Sequence, residues 1–185
     1  YAIALFRTKV VPDKKHEGLS QFLVDTKGPG ISIRPIVDLS GEHHFNEVVF
    51  QDAFVPDDAV LGKPGQGFPI LGSALDMGRF SVAARCVGQA QRCLDLAIPY
   101  ALERKAFGQK IGEFQMIQQK IADMVCRTEG ARAIVYRLGR MKDAGVQRAS
   151  LESSMAKLMA SEAATHNALD AIQIHGGYGL SAEYE

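Results

Sequence analysis

From Phe114 onward, the positions Phe114, Ile117, Ile121, Met124, Thr128, Ala131, Val135, Leu138 and Met141 recur every three or four residues without a break. That spacing places them on one face of a long helix. Asp143-Ala144-Gly145 closes it, with glycine as the C-cap residue. A similar periodicity runs upstream from Phe68 to about Ala101, through Leu71, Leu75, Val82, Val87, Ala90, Leu94 and Ala97. Downstream, about Ser150 to Ile174 forms a third helix, with Leu151, Met155, Leu158, Ala163, Leu169 and Ile172 expected inward. Gly176-Gly177 ends it. Three long helices joined by short turns make an antiparallel bundle. Each is Ala-rich and apolar on more than one stripe. This fits a plain bundle without a partner, or burial on two sides through oligomer contacts.

Before about residue 63 the pattern is different. Tyr1–Lys9 and Leu19–Asp25 read as strands, separated by the polar turn Pro12–Gly18. After the turn Gly28-Pro29-Gly30, a third strand carries Ile31, Ile33 and Ile36, and Asn46–Phe50 is a fourth. Short strands punctuated by Gly and Pro predict a small antiparallel sheet or barrel. The fold class is therefore α+β, with short strands in residues 1–63 and a helical bundle in residues 64–185.

Charge and composition narrow the function. Lys plus Arg and Asp plus Glu are both 21, so no basic excess points to nucleic acid. Hydrophobic residues make up 46% and charged residues 23%, a globular balance. No apolar run has the roughly 18 residues of a membrane span. Cys86, Cys93 and Cys126 are too few for a disulfide framework, lack CxxC spacing, and suit a reducing compartment. No metal site is expected: the histidines show neither HxxxH nor HExxH, and adjacent His43 and His44 would face opposite ways in a strand. There is no GxSxG elbow. Gly65-Gln66-Gly67 begins a dinucleotide fingerprint, but Ile70 stands at its third glycine position, so it reads as a turn before a helix.

Three features carry chemistry, each with a plain alternative. Asp76 and Arg79 lie one turn apart in an apolar helix, as a functional charge pair or a local ion pair. Glu103–Gln109 places Arg104, Lys105 and Phe107 where a helix ends. That suits a diphosphate, or compensates the helix dipole. Gln173-Ile174-His175-Gly176-Gly177-Tyr178-Gly179 lets a ligand or backbone approach closely, or simply stops a helix.

Together these motifs resemble the acyl-CoA dehydrogenase family. Tyr100–Gln115 is similar to the R-x-x-F-G…F-Q signature, and Ala122-Asp123-Met124 follows at the usual distance. Gln173–Gly179 is similar to Q-x-x-G-G-x-G. Gly18–Val24, Val48–Pro56 and Leu61-Gly62 resemble the end of the family's middle β-domain, so the resemblance spans essentially the whole chain. It implies a three-domain flavoprotein, of which this chain would hold the later part of the middle barrel and about three helices of the C-terminal bundle. It further implies FAD as cofactor, an acyl-CoA substrate, a homotetramer or homodimer, and an electron-transfer flavoprotein as acceptor. By the same resemblance, Arg104 and Phe107 face the FAD of a neighbouring subunit, with Gln115 close by. Gln173, Gly176 and Gly177 line its adenosine diphosphate region, and Asp76 and Arg79 meet the substrate.

The implied reaction removes an α-proton to a Glu base and a β-hydride to the flavin. In most members the base lies in a Y-E-G-like segment beyond the Q-x-x-G-G motif, which here falls after Glu185. The minority position, before the equivalent of Arg79, is Gly78, which cannot act as a base. Two rival readings share the fold: a flavin-dependent oxidase or monooxygenase, and a non-catalytic paralogue. Tyr1 opens directly into an apolar run and the chain stops without a terminating pattern, as expected of part of a longer protein. A targeting segment would lie upstream, so a cytoplasmic location in a bacterium and a mitochondrial matrix are both open.

Overall fold

The computed structural model describes residues 1–184 and shows two compact units, Tyr1–Gly72 and the segment from Ser73 onward. In the first unit, β1 (Ala2–Arg7), β2 (Leu19–Val24), β3 (Ile31–Ile36) and β4 (Phe45–Phe50) are the four expected strands, with ends trimmed by a few residues. A fifth, β5 (Val60–Leu61), was not legible, because two residues show no alternation. The order β1-β2-β5 makes one antiparallel sheet, with Ala2 opposite Val24 and Arg7 opposite Leu19; β3 and β4 make a second.

A buried hydroxyl ties the first sheet to the turn that follows it. Ser20 is fully enclosed; its Oγ accepts the Gly65 N–H at 2.8 Å and shares a hydrogen bond with Thr8 Oγ1 at 2.7 Å. A buried hydroxyl left unpaired would be costly, so this pairing is what allows serine there. Gly67 completes the junction. A Cβ on it would lie 2.7 Å from the Gln21 backbone nitrogen, so only glycine lets the chain pass so close to β2.

The second unit holds most of α1 (Gly67–Glu103), with α2 (Gln115–Asp143) and α3 (Ser150–His175). Two core layers fix their directions. One gathers Ala83 and Val87 of α1, Ala131, Val135 and Leu138 of α2, and Ala156, Ala160 and Ala163 of α3. The other gathers Leu94, Ala97 and Ala101 with Met124, Ala171 and Ile174. Thus α2 runs antiparallel to α1 and α3. Between the layers lies Asn167, fully buried. Its amide donates to the Ala90 carbonyl of α1 at 3.3 Å, and on α2 to the Met124 carbonyl at 3.2 Å and Thr128 Oγ1 at 2.8 Å. One side chain thereby pins the heights of three helices.

The inward face of α2 is as its periodicity predicts, with Met124, Thr128, Ala131, Val135 and Leu138 buried. That of α3 is not. Leu151, Met155, Leu158, Leu169 and Ile172 are exposed, and the buried positions are Ser153, Ala156, Ala160, Ala163, Asn167, Ala171, Ile174 and His175. On α1, similarly, Ala83 is inside while Leu75 and Val82 face out. The reason is steric. Small side chains let helix axes approach closely, so the alanine stripe forms the seam and the larger residues lie outside it.

Asp170 of α3 reinforces the α2–α3 seam, accepting from Lys120 at 2.8 Å and Arg127 at 2.6 Å. Burial pushes its carboxyl up, but the hydrogen bonds and charges of Lys120 and Arg127 outweigh this and hold it below the ordinary value. A depressed carboxylate stabilises the fold above its unfolded pKa of about 3.9, and that contribution is lost as pH falls through the folded value. Asp170→Asn should therefore lower the urea midpoint at pH 7. The gap between variant and parent should close on acidification below about pH 3.9, as urea titrations at stepped pH would show.

Candidate functional site

Helix α1 runs out at Glu103, and the Arg104 N–H still donates to the Tyr100 carbonyl at 2.9 Å. The chain then folds back through a tiny hairpin, β6 (Lys105–Ala106) and β7 (Gln109–Lys110). Its turn is Phe107-Gly108, with φ of 52° and 85°. Both central residues are thus left-handed, the backbone a two-residue hairpin favours. Gly108 adopts this freely. Phe107 does so at a cost of order 1 kcal/mol, with its side chain 97% exposed and only the edge of Phe114 nearby, at 6.4 Å between centroids. A strained, exposed aromatic side chain is not there for turn chemistry.

The end of α3 comes to the same place. Gly176 takes φ 61°, and its N–H caps the helix on the Gln173 carbonyl before a short turn, Gly176–Leu180. A Cβ added at Gly176 or Gly177 would meet no atom within 4 Å, so both leave open space. Between the ends of α1 and α3 lies a cleft of about 520 Å³, lined among others by Tyr100, Arg104, His175, Gly176, Gly177 and Tyr178. The Arg104 guanidinium stands 5.8 Å above the Tyr178 ring, a cation–π distance. The cleft thus joins a cation, two side-chain-free backbone positions and aromatic walls. That set accepts an anionic group carrying a flat, polar body.

Of the sequence-predicted residues, Arg104, Gly176 and Gly177 line this cleft. Gln173 is exposed in the last turn of α3. Phe107 lies on the hairpin beside Phe114, and Gln115 is the first residue of α2, exposed next to it. Not foreseen were Tyr100, Tyr178 and His175. His175 sits within the glycine-rich motif, yet only the packing shows its ring stacked on Tyr100 at 4.3 Å.

Asp76 and Arg79 lie elsewhere. Arg79 is about 38 Å along α1 from Arg104 at 1.5 Å per residue. Asp76 is buried, and its carboxylate accepts from Arg79 at 2.8 Å, Ser150 Oγ at 3.1 Å and Ser153 Oγ at 3.3 Å. No side chain caps α3 at Ala149. An anion supplied by α1 therefore complements the positive N-terminal end of α3. Asp76 both orients Arg79 and holds the start of α3. An added Cβ at Gly78 would meet nothing within 4 Å. Among the described residues, no group of three or more His, Cys, Asp or Glu could hold a metal ion, and no helix is long and apolar enough to cross a membrane.

Residues 65–185 match the family model described as acyl-CoA dehydrogenase, C-terminal domain. The chain belongs to the acyl-CoA dehydrogenase family. An acyl-CoA dehydrogenase of Bacillus subtilis is 40% identical over 175 residues, covering 94% of this chain and 46% of that protein. The solved glutaryl-coenzyme A dehydrogenase glutaryl-CoA complex superposes with a TM-score of 0.91 at 39% identity, over 98% of this chain and 46% of its own. PigA with FAD and proline superposes with the same TM-score of 0.91 at 33% identity, over 98% of this chain and 47% of its own. The chain thus spans about half the length of the relatives it matches. The donor set of the cleft fits the polyanionic half of FAD, the group held in that PigA structure.

The strain at Phe107 is open to direct measurement. Phe107→Gly should leave the thermal midpoint unchanged or raise it, because glycine adopts the turn freely and little packing is lost. Calorimetry showing a clear drop in the midpoint would mean that the phenyl ring stabilises the fold.

Proposed function

We propose that this chain is part of a flavoenzyme that α,β-dehydrogenates an acyl-CoA thioester. The observation that carries the reading is the convergence of Arg104 with Gly176 and Gly177, more than seventy residues apart, on one cleft. Arg104 supplies charge-assisted hydrogen bonds to a diphosphate, and the two glycines let it approach the backbone. Gln173 and Gln115, both exposed, offer side-chain amides, and exposed Phe107 covers the flat part of the cofactor. Bound FAD supplies the hydride acceptor. Arg79, held by Asp76, meets the acyl-CoA near the reacting carbons.

The long separation between Arg79 and Arg104 along α1 supports a shared arrangement. In this reading Arg79 and Arg104 serve different bound molecules, and Arg104 meets the FAD of a neighbouring subunit in a homodimer or homotetramer. The large exposed side chains of α3 provide apolar surface for such an assembly. The division of the chain into the end of a β-domain, residues 1–63, and a bundle from residue 64 belongs to the same reading. So does an electron-transfer flavoprotein as acceptor. The base is a Glu beyond Glu185, since Gly78 has no side chain to act. Asp76 is two residues away, so it projects about 200° around the axis and is occupied by Arg79 and two serines.

A second reading has one observation in its favour. The likeness to the solved prolyl acyl carrier protein oxidase AnaB, with a TM-score of 0.89 at 34% identity, fits an oxidase on the same fold whose substrate is carried by a protein. Anaerobic mixing with a panel of acyl-CoAs separates the two: flavin bleaching supports the dehydrogenase, and none with any acyl-CoA overturns it.

In the complete protein, Arg104→Ala should weaken FAD retention by about 1.5–3 kcal/mol, the range for a charge-assisted hydrogen bond. Flavin occupancy after gel filtration and dilution is the readout, and full occupancy in the variant would remove Arg104 from the cofactor site. Replacing the downstream Glu by Gln should abolish substrate bleaching while acyl-CoA still binds. Asp76→Asn should mainly raise the acyl-CoA dissociation constant, through a displaced Arg79.

A further inference from the structure

His175 is the last residue of α3 and is 5% exposed. Its ring is fixed from several directions. Tyr100 stacks on it at 4.3 Å and donates its hydroxyl to the His175 carbonyl at 3.3 Å. Nδ1 lies 2.7 Å from the Ala171 carbonyl. A carbonyl only accepts, so the hydrogen sits on Nδ1, and in the neutral ring Nε2 is left as an acceptor. That Nε2 is buried and has no hydrogen-bond partner among the described residues. Buried ring nitrogens are rarely left so, because an unmade hydrogen bond carries the full desolvation cost. The residue belongs to the wall of the cleft that also holds Arg104, Gly176 and Gly177. Tyr184 stands edge-on to the ring at 4.7 Å and closes its remaining side. Tyr184 is itself only half-buried, so rotation of its side chain gives a ligand access to Nε2.

We infer that His175 Nε2 accepts a hydrogen bond from the adenosine part of the nucleotide bound in this cleft, from a ribose hydroxyl or the adenine amino group. The inference rests on the reading of the cleft as the FAD diphosphate site. It adds a residue that reads the nucleoside rather than the charge. Arg104 attracts any diphosphate; His175 favours one that presents a donor a short distance away. The two groups have complementary requirements, one for an acceptor and one for a donor, so together they set the direction in which the nucleotide lies. Tyr100 is the positioning residue, holding the ring by stacking and its backbone by the hydroxyl.

The test uses the complete protein, stripped of flavin. FAD titration gives the dissociation constant, and ADP, 2′,3′-dideoxy-ADP and IDP are compared as competitors. We expect the analogue lacking the donor that His175 accepts to compete about five- to ten-fold more weakly than ADP, the effect of one neutral hydrogen bond. The hydroxyl-deficient and amino-deficient analogues tell the two donors apart. In His175→Phe, which keeps an aromatic ring against Tyr100, FAD should bind about five- to ten-fold more weakly and the difference between analogues should vanish. His175→Gln, which restores an acceptor, should recover part of it. Equal competition by all three nucleotides in the parent protein overturns the inference. So does an analogue difference that persists in His175→Phe, or unchanged FAD affinity there. If His175→Phe does not fold, as judged by circular dichroism, the parent protein's nucleotide series decides alone. A parent protein that binds neither FAD nor ADP overturns the cofactor reading itself, a result distinct from one that binds all three nucleotides alike.

Discussion

Close approach of α2 and α3 along a stripe of alanines is the constraint on which the bundle depends. Ala131 of α2 shares a layer with Ala156, Ala160 and Ala163 of α3, Ala83 of α1 packs into it, and Ala97 and Ala101 of α1 share the second layer with Ala171, nearly all fully buried. Such a seam gains little from the area of any one side chain. It gains from tight packing over a long contact, where each added methylene would push the axes apart. Met124 and Leu138 are the largest fully buried apolar side chains, one in each core layer.

An alanine seam fixes distance better than height, since one small residue resembles the next. Asn167 supplies the missing specification by hydrogen bonding to α1 and to α2 at one level. Asp170 does the same for α2 and α3 through Lys120 and Arg127, and Asp76 for α1 and α3 through Ser150 and Ser153. The height of the helices matters because the cleft is made from helix ends. A slip by one turn would shift Gly176 by about 5.4 Å along the helix axis relative to Arg104 and separate the groups that line it. Polar contacts in the bundle therefore set the site, while apolar contacts hold the helices together.

The cleft shows how function is written into local strain. Phe107 accepts a left-handed backbone and gives up burial, and His175 leaves a ring nitrogen unpaired among the described residues. Neither choice helps the bundle stand alone. Both put a specific chemical group at one end of it: an aromatic face in one case, a hydrogen-bond acceptor in the other. The large apolar residues of α3 outside the seam are a third departure of this kind, since they add nothing to the core of this unit.

The number of helices, their approximate ends and the face of α2 followed from the sequence alone, because a period of 3.6 is a local property of the chain. The runs around Arg104 and Gly176-Gly177 were visible as short local motifs, each with a plain alternative, and only the packing of the helix ends brought them to one cleft. The inward face of α3 was not legible. Leu151, Met155 and Leu158 satisfy the helical period as well as Ala156, Ala160 and Ala163 do, and hydrophobicity alone prefers the larger side chains. Only the distance between packed helices selected the alanines. His175 and Asp76 show the same limit. A histidine before two glycines, or an aspartate one turn from an arginine, has no fixed role in sequence. Burial, and the partners brought from residues 100, 150 and 153, decided that one ring nitrogen would stand unpaired and that one carboxylate would hold two helices. Periodicity and motif type pass along the chain, while desolvation and pairing depend on what other segments bring to the same place.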